Sequence, residues 1–393
     1  MSDNTRSTEV TSAVERPTGM PVGTGSGDQT EQLVAQVRRA YAERRGLCIR
    51  GSGSKAFLTA VPDRVSLEPL DLAEHQGIID YRPEELVVTA RAGTPLGVLE
   101  ALLSDAGQYL SFEPPRFGAG GTLGGAVAVG LSGPGRPWWG SVRDAVLGVE
   151  LVNGYGEHLR FGGQVMKNVA GFDLSRLQVG AFGTLGVLLS VSVKVLPRPS
   201  SNLTRVFELD AAAAIARCRA WARQPLPLSA ACHAEGLLRV RLSGAEAAVT
   251  EAARRLGGET PPSNADAPDF WTRLRDGALP LSARASAVVG QVGATASDVS
   301  PLWRVTLPPA ATLPGAAMIN WAGGERWFLS EGPEAARALV RDAAAVGGRA
   351  RAFAGDYGRS SPSGSIALYA ARLRAAFDPE HILNPHLGPT HAH

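Results

Sequence analysis

Between Gly120 and Pro197 glycine recurs at the edges of apolar runs, and no other feature constrains the fold of this chain as much. The stretch opens on Gly120-Gly121-Thr122-Leu123-Gly124-Gly125 and continues through small residues to Leu131-Ser132-Gly133-Pro134-Gly135. The pair Arg143-Asp144 leads into an apolar strand, Ala145 to Val152, that turns at Asn153-Gly154. Lys167-Asn168-Val169-Ala170-Gly171-Phe172-Asp173 precedes a short helical run, and Gly183-Thr184-Leu185-Gly186-Val187 feeds the strand Leu188 to Leu196. Glycine this dense, without low-complexity repetition, marks backbone that takes φ > 0 or approaches another group closely. Beside buried strands that group is most often a large, flat or phosphorylated ligand held by main-chain N–H groups. One Gly-Thr-Leu-Gly alone would be an ordinary turn. Several such patches at strand edges favour the ligand.

The chain has 393 residues, long for a single core and ample for two domains. Its formal net charge is +2, with arginines scattered beside Ala or Leu on helical faces, so no nucleic-acid partner is indicated. No apolar run reaches the length of a membrane span, so no integral membrane segment is expected. Nor does the N-terminus show the basic end and apolar core of a secretory signal. Cys48, Cys218 and Cys232 lie far apart, with no C-x-x-C, which argues against a disulfide framework and against an iron–sulfur cluster on this chain. A reducing, cytoplasmic setting fits these thiols, each read as a small buried hydrophobe.

Residues 1–28 are Ser/Thr/Gly/Pro-rich without apolar periodicity and read as a disordered tail. Leu33, Val34, Val37, Ala40 and Tyr41 mark a helix over Thr30 to Arg45. Leu47-Cys48-Ile49-Arg50 reads as a short buried strand ending in the loop Gly51-Ser52-Gly53-Ser54-Lys55. A strand followed by such a loop can turn successive N–H groups toward a phosphate, although taken alone it is equally a hairpin. It matches neither the P-loop nor G-x-G-x-x-G, which disfavours a nucleotide triphosphatase and a Rossmann dehydrogenase. Tyr81 to Glu85 reads as a turn between two strands. Thr94 as N-cap and Pro95 start a helix that stops at Gly107.

Beyond about Leu203 strands and helices alternate. Strands are expected at Thr204 to Leu209, Leu237 to Leu242, Trp303 to Leu307, Met318 to Trp321 and Arg326 to Leu329, as in an α+β cap. Gly257 to Pro268 and Arg284 to Ser300 read as surface connections, and Ile366 to Phe377 as a final helix returning to the first half.

In order, these motifs are the Gly/Ser loop, E-L-V-V-T-A-R-A-G-T-P-L, Glu113-Pro114-Pro115, T-L-G-G at Thr122 to Gly125, R-D-A-V-L-G-V-E-L-V, K-N-V-A-G-F-D-L-S-R and G-T-L-G-V. Over about Leu33 to Pro199 the series resembles the FAD-binding domain of the vanillyl-alcohol oxidase/PCMH superfamily. More narrowly it resembles the FAD-binding subunit of bacterial glycolate oxidase, and there the match extends to Trp321 through Trp327, Phe377-Asp378-Pro379-Glu380 and Leu383-Asn384-Pro385. The resemblance implies an α+β fold. A PCMH-type FAD-binding domain of two α/β subdomains would occupy 29–200, and an α+β cap 201–360. Residues 361–393 would pack back on the FAD domain.

It also implies a site. Arg50, Gly51, Ser52, Gly53, Ser54 and Lys55 would wrap the FAD pyrophosphate, with Pro114, Gly121, Thr122, Gly124 and Gly125 lining the pyrophosphate and flavin side. Arg143 and Asp144 would anchor the ribityl or pyrophosphate region; a surface ion pair is the other reading of them. Gly183, Gly186 and Val187 would meet the adenine end. Lys167 to Asp173 either touches the ligand or only shapes the fold.

Two departures from the superfamily pattern carry consequences. Where a flavin-linking His often ends the loop, this chain has Lys55 and Ala56, so FAD is expected to be non-covalent. Where many D-2-hydroxyacid members place a Thr-Asn pair, this chain reads Val129-Gly130-Leu131-Ser132, leaving Ser132 as the nearest polar substitute. The H-x-G-D-G-N-x-H element of catalytic members is also missing. His233 in His233-Ala234-Glu235-Gly236 stands alone, reads as part of a solvent-facing turn, and makes no metal site. His381 and His386 either reach the flavin or rest against backbone at a helix end, while His391 and His393 read as a frayed tail.

No catalytic base emerges from the sequence. The resemblance therefore implies an FAD-binding subunit that supports oxidation of glycolate to glyoxylate, with electrons passing toward a quinone. The substrate site falls to a larger FAD-linked subunit and cluster-borne relay to an iron–sulfur subunit. The location is cytoplasmic, or peripheral at the inner face of the cytoplasmic membrane through the complex. Two alternatives stay open: a self-sufficient FAD-dependent D-2-hydroxyacid dehydrogenase or oxidase, and a non-catalytic assembly subunit with a vestigial FAD pocket.

Overall fold

The computed structural model describes residues 27–59, 66–118, 120–164, 172–261, 266–279, 302–330, 332–353 and 364–387. The Lys167–Gly171 motif, residues 1–26 of the expected tail and the Arg284–Ser300 connection lie outside them. Asp28, at the end of that tail, accepts from the Thr30 N–H at 3.0 Å and pairs with Arg91 at 2.8 Å, which holds its carboxyl well below the usual range.

The first half is built on a five-stranded antiparallel sheet. Its order is Ile78–Arg82, Val87–Arg91, Val187–Lys194, Val146–Val152 and His158–Gly162. The central strand, Val187–Lys194, is buried along all but its last residue, as its near-continuous apolar run requires. Helices Thr30–Glu43, Leu96–Asp105 and Leu123–Val129 supply Leu33, Val37, Leu96, Leu99, Leu103, Leu123 and Val127 to the same core. Leu47–Arg50 pairs in parallel with Glu68–Asp71 beside this layer.

The second half is one seven-stranded antiparallel sheet. It runs Ser201–Glu208, Leu237–Gly244, Leu228–Ala234, Met318–Asn320, Glu325–Leu329, Leu302–Thr306, Arg349–Ala352. Leu238, Val240 and Leu242 alternate with less buried neighbours and pack with Ala214, Cys218, Val249 and Ala253 of helices Ala211–Trp221 and Glu246–Leu256. Another cluster joins Ala230, Cys232, Trp271, Met318 and Trp327 to Leu58, Leu131, Phe182 and Leu387, so the two halves share an apolar seam.

Three local expectations are corrected. His233 is not in a solvent-facing turn: it is half-buried in Leu228–Ala234, its Nε2 2.8 Å from the Leu209 carbonyl oxygen. Tyr81 belongs to a strand, and the turn is Pro83–Glu85. Thr94 is not the N-cap: that position is Pro95, while Thr94 Oγ1 accepts from the Gly77 N–H at 3.0 Å.

Candidate functional site

The chain's last described segment ties the site together. The Leu47 N–H donates to the Ile382 carbonyl at 2.7 Å and the Asn384 N–H to the Leu47 carbonyl at 3.0 Å. Asn384 Oδ1 accepts from the Ile49 N–H at 2.8 Å, and its Nδ2 donates to the Phe182 carbonyl at 2.7 Å. One amide thus joins the strand 47–50, the glycine-rich turn at 182–186 and the C-terminal return. Asp378, fully buried, supports that return by accepting from the N–H groups of Ile382 at 3.0 Å and Leu383 at 2.9 Å.

Where these segments meet lies a cavity of about 320 Å³, lined by Arg50 through Ala56, Thr122, Gly125, Phe182, Asn384 and His386 among others. A cavity of about 80 Å³ shares Arg50, Gly51, Thr122, Gly125, Phe182 and Asn384 with it and adds Gly124, Gly183 and Gly186. Two glycines set the shape of this cleft. A Cβ on Gly51 would lie 2.7 Å from Thr122 Oγ1, which already accepts from the Gly125 N–H at 3.1 Å. A Cβ on Gly124 would lie 2.6 Å from the Ala92 Cβ and 2.9 Å from its carbonyl oxygen.

The cleft suits an anion. The main-chain N–H groups of Gly51, Ser52, Gly53, Ser54 and Lys55 donate to no acceptor among the described residues. Among the described residues, the ionised side chains lining these cavities are Arg50, shared by both, and Lys55 of the larger, and no carboxylate lines either. Arg50 also pairs with Asp71 at 3.1 Å. Lys55 is buried, its Nζ 6.0 Å from the Phe117 ring centroid, and burial brings its pKa down to about 8 against the pull of Asp276.

Of the residues expected at the site, the structure gathers Arg50, Gly51, Ser52, Gly53, Ser54, Lys55, Thr122, Gly124, Gly125, Gly183 and Gly186 around these two cavities. Pro114, Gly121, Arg143, Asp144 and Val187 line neither. Gly121 takes the Leu96 N–H on its carbonyl at 2.7 Å, and Val187 is core. Asp144 closes a capping box with Ser141, at 2.8 Å from both its N–H and its hydroxyl, and Arg143 is exposed. Ser132 accepts the Val142 N–H at 3.0 Å and faces a separate cavity where the halves meet. The sequence reading missed Phe182, and it left His386 open between the flavin and a helix end. Asn384 stood in the quoted Leu383-Asn384-Pro385 motif without a role.

Residues 27–162 match the family model of the FAD binding domain. Over 362 residues, 91% of this chain and 97% of the relative, the sequence is 44% identical to Escherichia coli (strain K12) glycolate oxidase subunit GlcE. The chain belongs to the GlcE family of glycolate oxidase subunits. A GlcE-family chain is not alone in carrying this kind of domain. Bacillus subtilis (strain 168) glycolate oxidase subunit GlcD is 34% identical over 168 residues, which is 42% of this chain and 35% of that protein. Among solved structures, alkyldihydroxyacetonephosphate synthase superposes with a TM-score of 0.62 at 16% identity, covering 90% of this chain and 74% of the other. The fold is thus the PCMH-type FAD-binding architecture, and its cofactor is FAD. Among the described residues, loop amides without an acceptor and a lining without a carboxylate fit its pyrophosphate.

Proposed function

We propose that this chain is the FAD-binding subunit of a glycolate oxidase complex that converts glycolate to glyoxylate and passes electrons toward a quinone. The observation that carries the reading is similarity to GlcE along nearly its whole length, joined to a cleft built for a dianionic cofactor. FAD, when bound, supplies a two-electron acceptor. The Gly51–Lys55 amides hold the pyrophosphate, Lys55 Nζ adds charge, and Asn384 keeps the loop's strand in register with the turn at Phe182. With Lys55 and Ala56 ending the loop, binding is non-covalent.

The partners are a larger FAD-linked subunit and an iron–sulfur subunit. This chain has three dispersed cysteines, and burial pushes the thiols of Cys218 and Cys232 above their ordinary range, which suits core packing and not cluster ligation. The working division is an FAD domain over 29–200, a cap over 201–360 and a returning segment over 361–393. No helix among the described residues is long and apolar enough to cross a membrane. A cytoplasmic complex, attached peripherally at the inner membrane face, suits delivery to a quinone.

Anaerobic addition of glycolate to the isolated chain and to the reconstituted complex tests the reading. Flavin bleaching is expected in the complex and not in the isolated chain. Prompt bleaching of the isolated chain would instead make it a self-sufficient hydroxyacid dehydrogenase.

A further inference from the structure

Tyr109, Trp139 and Arg198 of the first half meet Arg241, Trp271 and Arg275 of the second along an open groove of about 590 Å³. It shares no described residue with the cofactor cleft, itself about 320 Å³. Of the thirteen described residues that line the groove, six are Arg, Trp or Tyr and none is Lys. That bias marks the energetic centre of protein–protein contacts and not ordinary surface. The floor is buried and held in place. Trp271 is 5% exposed, and its Nε1 donates to Thr204 Oγ1 at 2.9 Å. Arg241 Nε donates to Ser229 Oγ at 3.0 Å, and its guanidinium pairs with Glu113 while lying 4.8 Å and 5.4 Å from the ring centroids of Trp139 and Trp271. The rim is exposed at Arg198, Asn202 and Thr272. An aromatic floor inside a polar, open rim is the build of a protein-docking surface, whereas a small-molecule pocket closes over most of its ligand.

Charge decides what docks there. Both Glu113 oxygens are taken, Oε1 by Arg241 at 2.8 Å and Oε2 by the Gly135 N–H at 2.6 Å, and Asp276 takes Arg275 at 2.7 Å. Burial, ahead of the nearby Glu113, pushes the Tyr109 phenol above its ordinary range, so that ring adds no negative charge. Arg198 is left over. Its Nε rests on the Gln108 carbonyl at 3.1 Å, and it pairs with no carboxylate among the described residues. We propose that the groove receives a segment of another subunit of the glycolate oxidase complex, one carrying a carboxylate for Arg198 and, beside it, an apolar side chain for the rings of Tyr109 and Trp139. That a partner subunit exists rests on the functional reading above; where it docks and what chemistry it brings rest on the groove.

The test mixes the FAD-loaded chain with the other two subunits and follows assembly by sedimentation velocity at low and at high salt. Wild-type chain is expected to assemble, more weakly as salt rises. Arg198→Glu is expected to weaken assembly at least about tenfold, because a like charge then meets the incoming carboxylate. Thr272→Glu on the opposite rim should do the same, while Thr272→Lys at that position should assemble at least as tightly as wild type. Both positions are exposed and outside the cofactor cleft, so FAD content and melting temperature should not change. Arg254→Glu, an equally exposed charge reversal away from the groove, should assemble like wild type. Assembly indifferent to the sign of the charge at 198 and 272, or weakened as much by Arg254→Glu, would overturn the groove and leave the complex standing. A dimer of the chain alone that Arg198→Glu dissolves would give the groove to a second copy and overturn the proposal too. A wild-type chain that takes up FAD but assembles with neither subunit would sink the reading as a complex subunit, and this docking site with it.

Discussion

Lys55 sets how the cleft responds to pH. Its ammonium is half-neutral near pH 8 in the free protein because burial removes its water, and a pyrophosphate would restore the charged form. FAD binding should therefore take up a proton above that pH. Affinity is expected to hold up to about pH 8 and then fall by as much as about tenfold per pH unit until the bound-state pKa is passed. Lys55→Met should weaken FAD roughly tenfold at neutral pH and flatten the profile, as read by flavin fluorescence titration. The loop's glycines and serines announce such a turn from sequence. The burial of Lys55 does not show there, because Phe117 and Asp276 that surround it are remote in the chain. Asp144 carries a local signal too: Ser141 three residues before it is a capping-box spacing, which the structure forms.

Two elements give sharper tests of packing. Helix Leu123–Val129 lies so close to Ala92 that Gly124 has no room for a methyl against backbone. Gly124→Ala is expected to cost about 1–3 kcal/mol of stability in denaturant unfolding, since the clash cannot be relieved by a rotamer. In the C-terminal return, Asp378→Ala would strip two buried N–H groups of their acceptor. A loss of about 2–4 kcal/mol is expected, with faster amide exchange at Ile382 and Leu383. Elements with their own apolar signal, such as Val187–Lys194 or the helix at Thr30, were legible to within a few residues. Those that depend on neighbours were not. Edge strand Arg349–Ala352 is Arg-Ala-Arg-Ala, and Leu228–Ala234 owes its strand to flanking partners on both sides, since Ser-Ala-Ala-Cys has little preference of its own.

At the scale of the molecule, the halves are clasped by long-range contacts. Glu113, held at φ 46°, pairs with Arg241 at 2.8 Å and accepts from the Gly135 N–H at 2.6 Å. Arg241 in turn lies over Trp139 and Trp271, and Trp321 Nε1 donates to the Gly133 carbonyl at 2.9 Å. Glu113-Pro114-Pro115 and Trp321 to Trp327 were visible as motifs. That Glu113 pairs with Arg241 and Trp321 with Gly133 was not, because those partners lie 128 and 188 residues away. The cofactor cleft has the same character: main-chain donors from Gly51–Lys55 share it with the turn at Phe182 and the segment at Asn384. Its most direct test is to saturate the purified chain with FAD, remove the excess, denature with acid and assay both fractions. One FAD per chain, all of it in the supernatant, is the expected result. A chain that stays colourless, or flavin that sediments with the protein, would contradict the account.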